Sequence, residues 1–335
     1  MYKILLPEPI HEEGLKILRT VGEVRLSADA REDVLGREAA AADAILVRST
    51  PITARLIAAA PKLKVISRHG IGTDHIDLKA ASEKGVLVLN TPEANVNAVA
   101  EHTVALMLAL AKRLFQMDRH FREGKYYQQG SLPGIVSRLE GAPAFELAGK
   151  RLGLVGAGKI ARKVAVICRQ AFAMEVCAYD PYVPPGVFRE AGLDGIELQD
   201  SLETVLSTAD FVSLHVPLTP GTKGLIGNRE IGLMKPGACL INTARGGVVD
   251  EDALEEALRS GQLAGAALDV FAAEPPDPAR TLFSCPNLIV TPHMAALTEQ
   301  SLIRMAVEAA TGIADFFRGR RPKNIVNPEV LGRDG

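Results

Sequence analysis

Tryptophan is absent from this 335-residue sequence, and aromatic residues together make up only 4% of it. Leu, Ile, Val and Ala must therefore fill the interior, which suits an α/β protein whose parallel strands are aliphatic on both faces. An excess of either charge is also missing, since 38 Lys and Arg stand against 40 Asp and Glu, and the basic residues are scattered rather than gathered into a run or tail. That distribution argues against nucleic acid as a partner. Cysteine is scarce, and Cys168, Cys177, Cys239 and Cys285 show neither CxxC pairing nor a His-bearing zinc spacing. Neither a disulfide framework nor a metal site is expected, and reduced thiols point to a cytoplasmic setting. The opening MYKILLPEPI has no basic region leading into a long apolar stretch, so no signal peptide is expected. The longest helical apolar run, VALMLALA at 104–111, stops at Lys112 and Arg113 and is too short to span a bilayer, so no membrane partner is expected.

What is present is 47% hydrophobic and 23% charged residues, the balance of a globular protein. The length exceeds what one core usually serves and favours two domains. Short aliphatic runs alternate with helical segments: KILL at 3–6, AILV at 44–47, KVIS at 64–67 and VLVL at 86–89. The rhythm resumes with RLGLV at 151–155, EVCAY at 175–179, FVSL at 211–214, CLIN at 239–242, GAALDV at 265–270 and LIV at 288–290. Two doubly wound parallel sheets are predicted. Helical segments over about 97–122 and 298–318 frame the second series. If the latter returns the chain to the first sheet, residues 1–101 with 297–335 form one discontinuous domain and 102–296 an inserted one. Residues 125–149, with Gly130, Pro133, Gly134, Gly141 and Pro143 and little periodicity, read as a long loop.

The segment RLGLVGAGKIARKVA places Gly156-x-Gly158-x-x-Ala161 where an aliphatic strand gives way to a helical pattern. Gly156 can make the tight turn, Gly158 lets the backbone approach a pyrophosphate, and Ala161 still permits close helix-to-strand packing. The following helix start offers free N–H groups to phosphate. The next strand ends in Asp180, where a carboxylate can accept both ribose hydroxyls and repel a 2′-phosphate, so NAD is expected over NADP.

Ligands of open parallel sheets bind at the carboxyl ends of strands. There CLIN is followed by Thr243, Ala244 and Arg245, ALDVF leads to Glu274, and LIVTP leads to His293. Arg245 can grip a carboxylate with a planar pair of donors. His293 can donate a proton to a carbonyl oxygen and take it back. Glu274, bonded to the other ring nitrogen, would orient the imidazole. The three fit hydride transfer between nicotinamide and a 2-oxo acid. Taken singly, an arginine before Gly246, a glutamate before two prolines and a histidine after Pro292 could each be turn or loop residues. His11, His69, His75 and His120 read as surface or structural, His215 as lining the nicotinamide end of the site, and His102 as either supporting or merely packed.

The chain resembles the D-isomer-specific 2-hydroxyacid dehydrogenases, particularly the phosphoglycerate and hydroxypyruvate/glyoxylate branches. The likeness rests on SRHGIGTDHIDL at 67–78, NTPEANVNAVAEHTVALMLAL at 90–110, GAGKIA, AYDP, LHVPLTPGT at 214–222, NTARGGVVDEDAL at 242–254, GAALDVFAAEPP and TPHMAA. It implies a Rossmann nucleotide domain inserted in a flavodoxin-like substrate domain, a cleft that closes on substrate, and a homodimer formed through the nucleotide domain. By that resemblance Arg245, Glu274 and His293 are catalytic. Cofactor contacts fall on Lys159, Ile160, Asp180, His215, Val216, Thr243, Ala244, Asp269, Ala295 and Ala296, and the backbone at Ile71 and Gly72 binds the substrate carboxylate. Ala161 for the third glycine, His75 for a usual Asn and Ala296 for a common Gly depart from the pattern, and the loop over 125–149 is longer than usual. The chain ends soon after NIVNPEVL, so no further C-terminal regulatory domain is expected.

Arg48 and Arg68 follow first-domain strands and match arginines that look phosphate-binding in the phosphoglycerate branch, though surface ion pairs would explain them equally. A phosphorylated or other doubly anionic substrate is one expectation, and hydroxypyruvate or glyoxylate the other. A contrasting reading is an NAD(H)-sensing binding protein without turnover. Epimerisation on bound NAD would not account for Arg, Glu and His at one sheet edge.

Overall fold

The computed structural model describes residues 1–124, 144–196 and 198–332, so the expected loop lies outside the described residues as far as position 143. The chain divides into two compact units, Met1–Val96 with Ala296–Gly335, and Asn97–Ala295.

In the first unit, strands β1 (Tyr2–Leu6), β2 (Gly22–Leu26), β3 (Ala44–Val47), β4 (Val65–Arg68) and β5 (Leu87–Leu89) form one sheet in the order β2-β1-β3-β4-β5. All its pairings are parallel, and the order is that of a flavodoxin-like sheet. Because side chains alternate along a strand, Ile4 and Leu6 join Leu46, Val65 and Leu89 on one face. Leu5, Ile45, Ile66 and Val88 pack on the other with Leu56 and Ile57. The first face is covered by Ala309, Ala310 and Ile313 of the helix Glu299–Phe317, which Thr298 caps by accepting from the Ser301 N–H. Ser67 Oγ donates to Ala309 O at 3.0 Å, which ties this helix to the first sheet. Strand β2 has no counterpart among the runs read from the sequence. It is an edge strand in which Glu23 and Arg25 replace aliphatic residues, the usual way an edge is kept soluble.

The segment expected as one helix over 97–122 is two, Val96–Lys112 and Leu114–Arg122, separated by Arg113 at φ 53°. Phe145 N–H donates to Ala111 O at 3.0 Å, and Lys112 Nζ donates to Phe145 O at 2.9 Å. The incoming chain thus takes the carbonyl on which the next helical turn would have been built. The first of these helices runs unbroken past His102, and the division between units falls at its start.

The second unit holds β6 (Arg151–Val155), β7 (Glu175–Tyr179), β8 (Phe211–Leu214), β9 (Ala238–Asn242), β10 (Leu263–Leu268) and β11 (Leu288–Val290) in the parallel order β11-β10-β9-β8-β6-β7. A single bridge from Leu198 to Ala178 stands beyond β7, where a Rossmann sheet carries its third strand. Leu152, Leu154, Ala161, Val164 and Cys168 pack on one face, and Val212, Leu240, Leu254 and Leu258 on the other. All four cysteines are buried and free, and burial pushes the Cys168 thiol up to about 12. No described helix is long and apolar enough to cross a membrane.

Candidate active site

Strand β6 is followed by Gly156, whose φ of 97° and close contact admit only glycine: a Cβ there would meet His215 O at 2.8 Å. The contact joins the ends of β6 and β8, the neighbouring strands between which the chain reverses its order across the sheet and where such sheets bind ligands. Gly158 caps the helix Lys159–Phe172 without any side-chain hydrogen bond, and nothing lies within 4 Å of where its Cβ would be. A helix start that opens on empty space at Gly158 fits a pyrophosphate. Lys159 is exposed and Ile160 partly buried in the first turn, and the fully buried Ala161 fills the packing position. Asp180 accepts from the N–H of Ala157 and of Tyr182, each at 2.9 Å and each on a different oxygen, so both oxygens keep a lone pair for a ribose hydroxyl. His215 Nε2 lies 2.9 Å from Ser213 Oγ, and burial pushes its imidazole down to about 4, so it is uncharged at neutral pH. Val216 Cγ1 stands 3.1 Å from the Cβ position of Gly156.

The strand ends of β9, β10 and β11 bring Arg245, Glu274 and His293 together. His293 Nδ1 lies 2.7 Å from Glu274 Oε2, while Glu274 Oε1 accepts from the Phe271 N–H at 3.0 Å. Burial raises the Glu274 carboxyl, but the bonds from His293 and Phe271 and the attraction of His293 and Arg245 outweigh it and hold the group below its ordinary value. The Arg245 guanidinium donates to Ala244 O at 2.7 Å. Gly246 brings the two loops into contact, since a Cβ there would lie 1.9 Å from the Phe271 carbonyl carbon. The His293 side chain is half exposed and therefore reachable from solvent. Beside the pair lies a cavity of about 540 Å³ walled by Phe271, Pro276, Phe283, Val290 and Pro292.

In the first unit, Arg68 follows the backbone of its own loop: Nε donates to Gly72 O at 2.9 Å, and Nη1 bonds His69 O. Ile71 is exposed, with its carbonyl accepting from Asn90 Nδ2 at 2.9 Å. Arg48 Nη1 donates to Pro9 O at 3.2 Å. The imidazole of His69 is pushed down to about 4 by burial and by the charges of Arg48 and Arg68.

Residues 104–295 match the family model of the D-isomer specific 2-hydroxyacid dehydrogenase NAD binding domain. The chain belongs to that family. Among similar proteins, a D-3-phosphoglycerate dehydrogenase of Methanocaldococcus jannaschii is 42% identical over 328 residues, which is 98% of this chain and 60% of that protein. The chloroplastic D-3-phosphoglycerate dehydrogenase 2 of Arabidopsis thaliana is 40% identical over 336 residues, 98% of this chain and 51% of that one. The chain therefore spans roughly half to three fifths of the length of these relatives. Among solved structures, a glyoxylate reductase from Paecilomyes thermophila superposes with a TM-score of 0.85 at 26% identity, covering 98% of this chain and 99% of that one.

Further polar residues, one of them among the expected cofactor contacts, brace the loops around this site. Buried Asp269, expected to touch cofactor, turns both oxygens inward: Oδ1 accepts from Thr291 Oγ1 at 2.6 Å and Met294 N–H at 2.9 Å, and Oδ2 from Ala295 N–H at 2.9 Å. Buried Asn242 braces the Arg245 turn, accepting from Ala244 N–H at 3.0 Å and donating to Arg245 O at 2.9 Å. Glu251 is 6% exposed, accepts from Ala272 N–H at 2.6 Å and is bonded by Arg280, fastening the loop that leads to Glu274. Asn242 ends a strand of the catalytic edge and was legible as polar there; Glu251 looks in sequence like an ordinary first-turn acid.

Proposed function

We propose that this protein transfers a hydride between NAD(H) and a small D-2-hydroxy acid or its 2-oxo counterpart. The carrying observation is the 2.7 Å pair of Glu274 and His293, with the Arg245 charge near enough to act on the same carboxyl. Arg245 holds the substrate carboxylate through two parallel donors. With Nδ1 committed to Glu274, His293 keeps Nε2 for the proton that passes to or from the substrate oxygen. Glu274 fixes that orientation. When bound, the dinucleotide supplies or accepts the hydride. Gly156, Gly158, Lys159 and Ile160 hold its pyrophosphate, and Asp180 its ribose hydroxyls, where a 2′-phosphate would be repelled. His215, Val216, Thr243, Ala244, Asp269, Ala295 and Ala296 are assigned to the rest of the cofactor site, Asp269 acting by holding the backbone of the last segment.

The first unit is assigned to substrate, with the backbone at Ile71 and Gly72 taking the carboxylate, and Arg48 and Arg68 a second anion. Two guanidinium charges near His69 and the names of both curated relatives favour 3-phosphoglycerate and its 2-oxo form. The glyoxylate reductase among the solved structures supports the second substrate reading, hydroxypyruvate or glyoxylate. A homodimer working in the cytoplasm completes the proposal.

The test is NADH and NADPH oxidation with 3-phosphohydroxypyruvate, hydroxypyruvate, glyoxylate and sulfopyruvate. Oxidation of NADH by at least one acid, preferred over NADPH, is expected. Tight NADH binding with no oxidation by any of them would favour the sensing protein instead.

A further inference from the structure

The helix Val96–Lys112 is largely apolar, but its sequence places His102 beside Thr103, and each reaches a different loop of the site. His102 Nε2 lies 3.1 Å from Thr291 Oγ1 and 3.7 Å from Asp269 Oδ1. The Thr291 hydroxyl has one proton and gives it to Asp269 Oδ1 at 2.6 Å, so it can only accept from His102. His102 Nε2 must then carry a proton. Asp269, 0% exposed, also gathers the N–H groups of Met294 and Ala295. His293 sits within that span at φ 51°, a conformation that a residue with a side chain rarely adopts and that its surroundings must enforce. On the next residue, Thr103 Oγ1 donates to Val99 O at 2.8 Å, so its oxygen accepts from Thr243 Oγ1 at 2.9 Å. Thr243 opens the turn that carries Arg245.

We infer that His102 is a positioning residue whose Nε2–H, acting through Thr291 and Asp269, holds the backbone that presents His293, while Thr103 does the same for the Arg245 turn through Thr243. A ring that merely filled space would need no proton at Nε2 and no hydroxyl opposite. The kinetic consequence rests on the proposed hydride transfer; the ordering of the 291–295 backbone does not.

The experiment compares His102→Phe, which keeps a ring and loses the donor, with His102→Gln, which returns an N–H at similar reach. On the full chain one measures kcat and KM with NADH and hydroxypyruvate or 3-phosphohydroxypyruvate, the Kd for NADH, and hydrogen exchange at the Met294 and Ala295 amides. His102→Phe should lower kcat about ten- to a hundredfold, as small misplacement of a reacting group does, and speed exchange of both amides about tenfold. His102→Gln should recover most of both losses, and Thr103→Val should raise KM for the acid more than it lowers kcat. Unaltered kcat and exchange in His102→Phe, or equal impairment in Phe and Gln, overturns the inference. If the wild-type protein oxidises NADH with no acid, the hydride-transfer reading falls while the exchange comparison still decides the positioning role. Should His102→Phe not fold, Thr291→Val against Thr291→Ser poses the same question from the other end. Protected amides in Ser but not Val support the inference, and equal exchange overturns it.

Discussion

At the level of single residues, the imidazole of His293 has one nitrogen occupied by Glu274, so its chemistry is confined to the other. His293→Gln should cut kcat by about 10²–10⁴, the usual worth of a positioned acid–base group, while the NADH Kd stays unchanged because the Gly156–Ile160 turn is untouched. Normal turnover in that variant would remove His293 from the mechanism. Glu8 makes a different residue-scale case. Its carboxylate fills a ring of backbone donors, accepting from Ser49 and Thr50 N–H at 2.7 Å and Arg48 N–H at 3.0 Å. Burial raises its carboxyl, but the bonds from Arg48, Ser49 and Thr50 outweigh that and hold it below the ordinary 4.5. A group depressed on folding stabilises fully above its unfolded value and loses that contribution as pH falls through the folded one. Glu8→Gln should therefore be less stable than wild type at about pH 7, with the gap narrowing below about pH 4. Urea midpoints read this directly, and a gap of constant size would reject it.

At the level of elements, the decisive contact is loop against loop. Gly246 leaves no room because its neighbours are the backbone atoms of Phe271, at 1.9 and 2.1 Å from a Cβ, and backbone cannot rotate aside. Gly247, next in sequence, would meet only the Leu218 side chain, at 3.3 Å. Gly246→Ala should cost about 1–3 kcal/mol or more through overpacking and also lower kcat/KM, since it parts Arg245 from Glu274. Gly247→Ala should be nearly neutral in both. Thermal unfolding and kinetics on the pair check this; equal effects would mean that the loops do not need their contact. Elements were read from sequence where apolar runs were long. Edge strand β2 escaped because a half-exposed edge carries charges. The break at Arg113 escaped because its cause, Phe145, lies far along the chain.

For the whole molecule, cofactor binding is the accessible measure. The Gly156 turn, the open Gly158 position and Asp180 together make the place where NADH is expected to bind. NADH at a hundred times its Kd should then stabilise the protein by about 2.7 kcal/mol. NADPH at the same concentration should stabilise it measurably less, because its 2′-phosphate meets the Asp180 carboxylate. Equal stabilisation by both would show that Asp180 does not select the cofactor. The two sheets, each with its own two-faced core, were foreseeable from ten aliphatic runs in alternation with helices. The flanking assignments of Arg48 and Arg68 were not comparable in strength, since their guanidinium groups bond nearby carbonyls.

The sequence by itself determined the parallel architecture and the sheet edge that carries the candidate site, because in a parallel sheet every strand delivers its next residues to the same side. It also marked Gly156, Gly158 and Asp180, whose roles depend on short-range spacing. Tertiary structure alone decided which nitrogen of His293 meets Glu274 across 19 residues, that Asp269 spends its oxygens on the His293 loop, and that His102 lies against Thr291 from 189 residues away. Such contacts leave no period in the chain; they exist only once the strands have been stacked side by side.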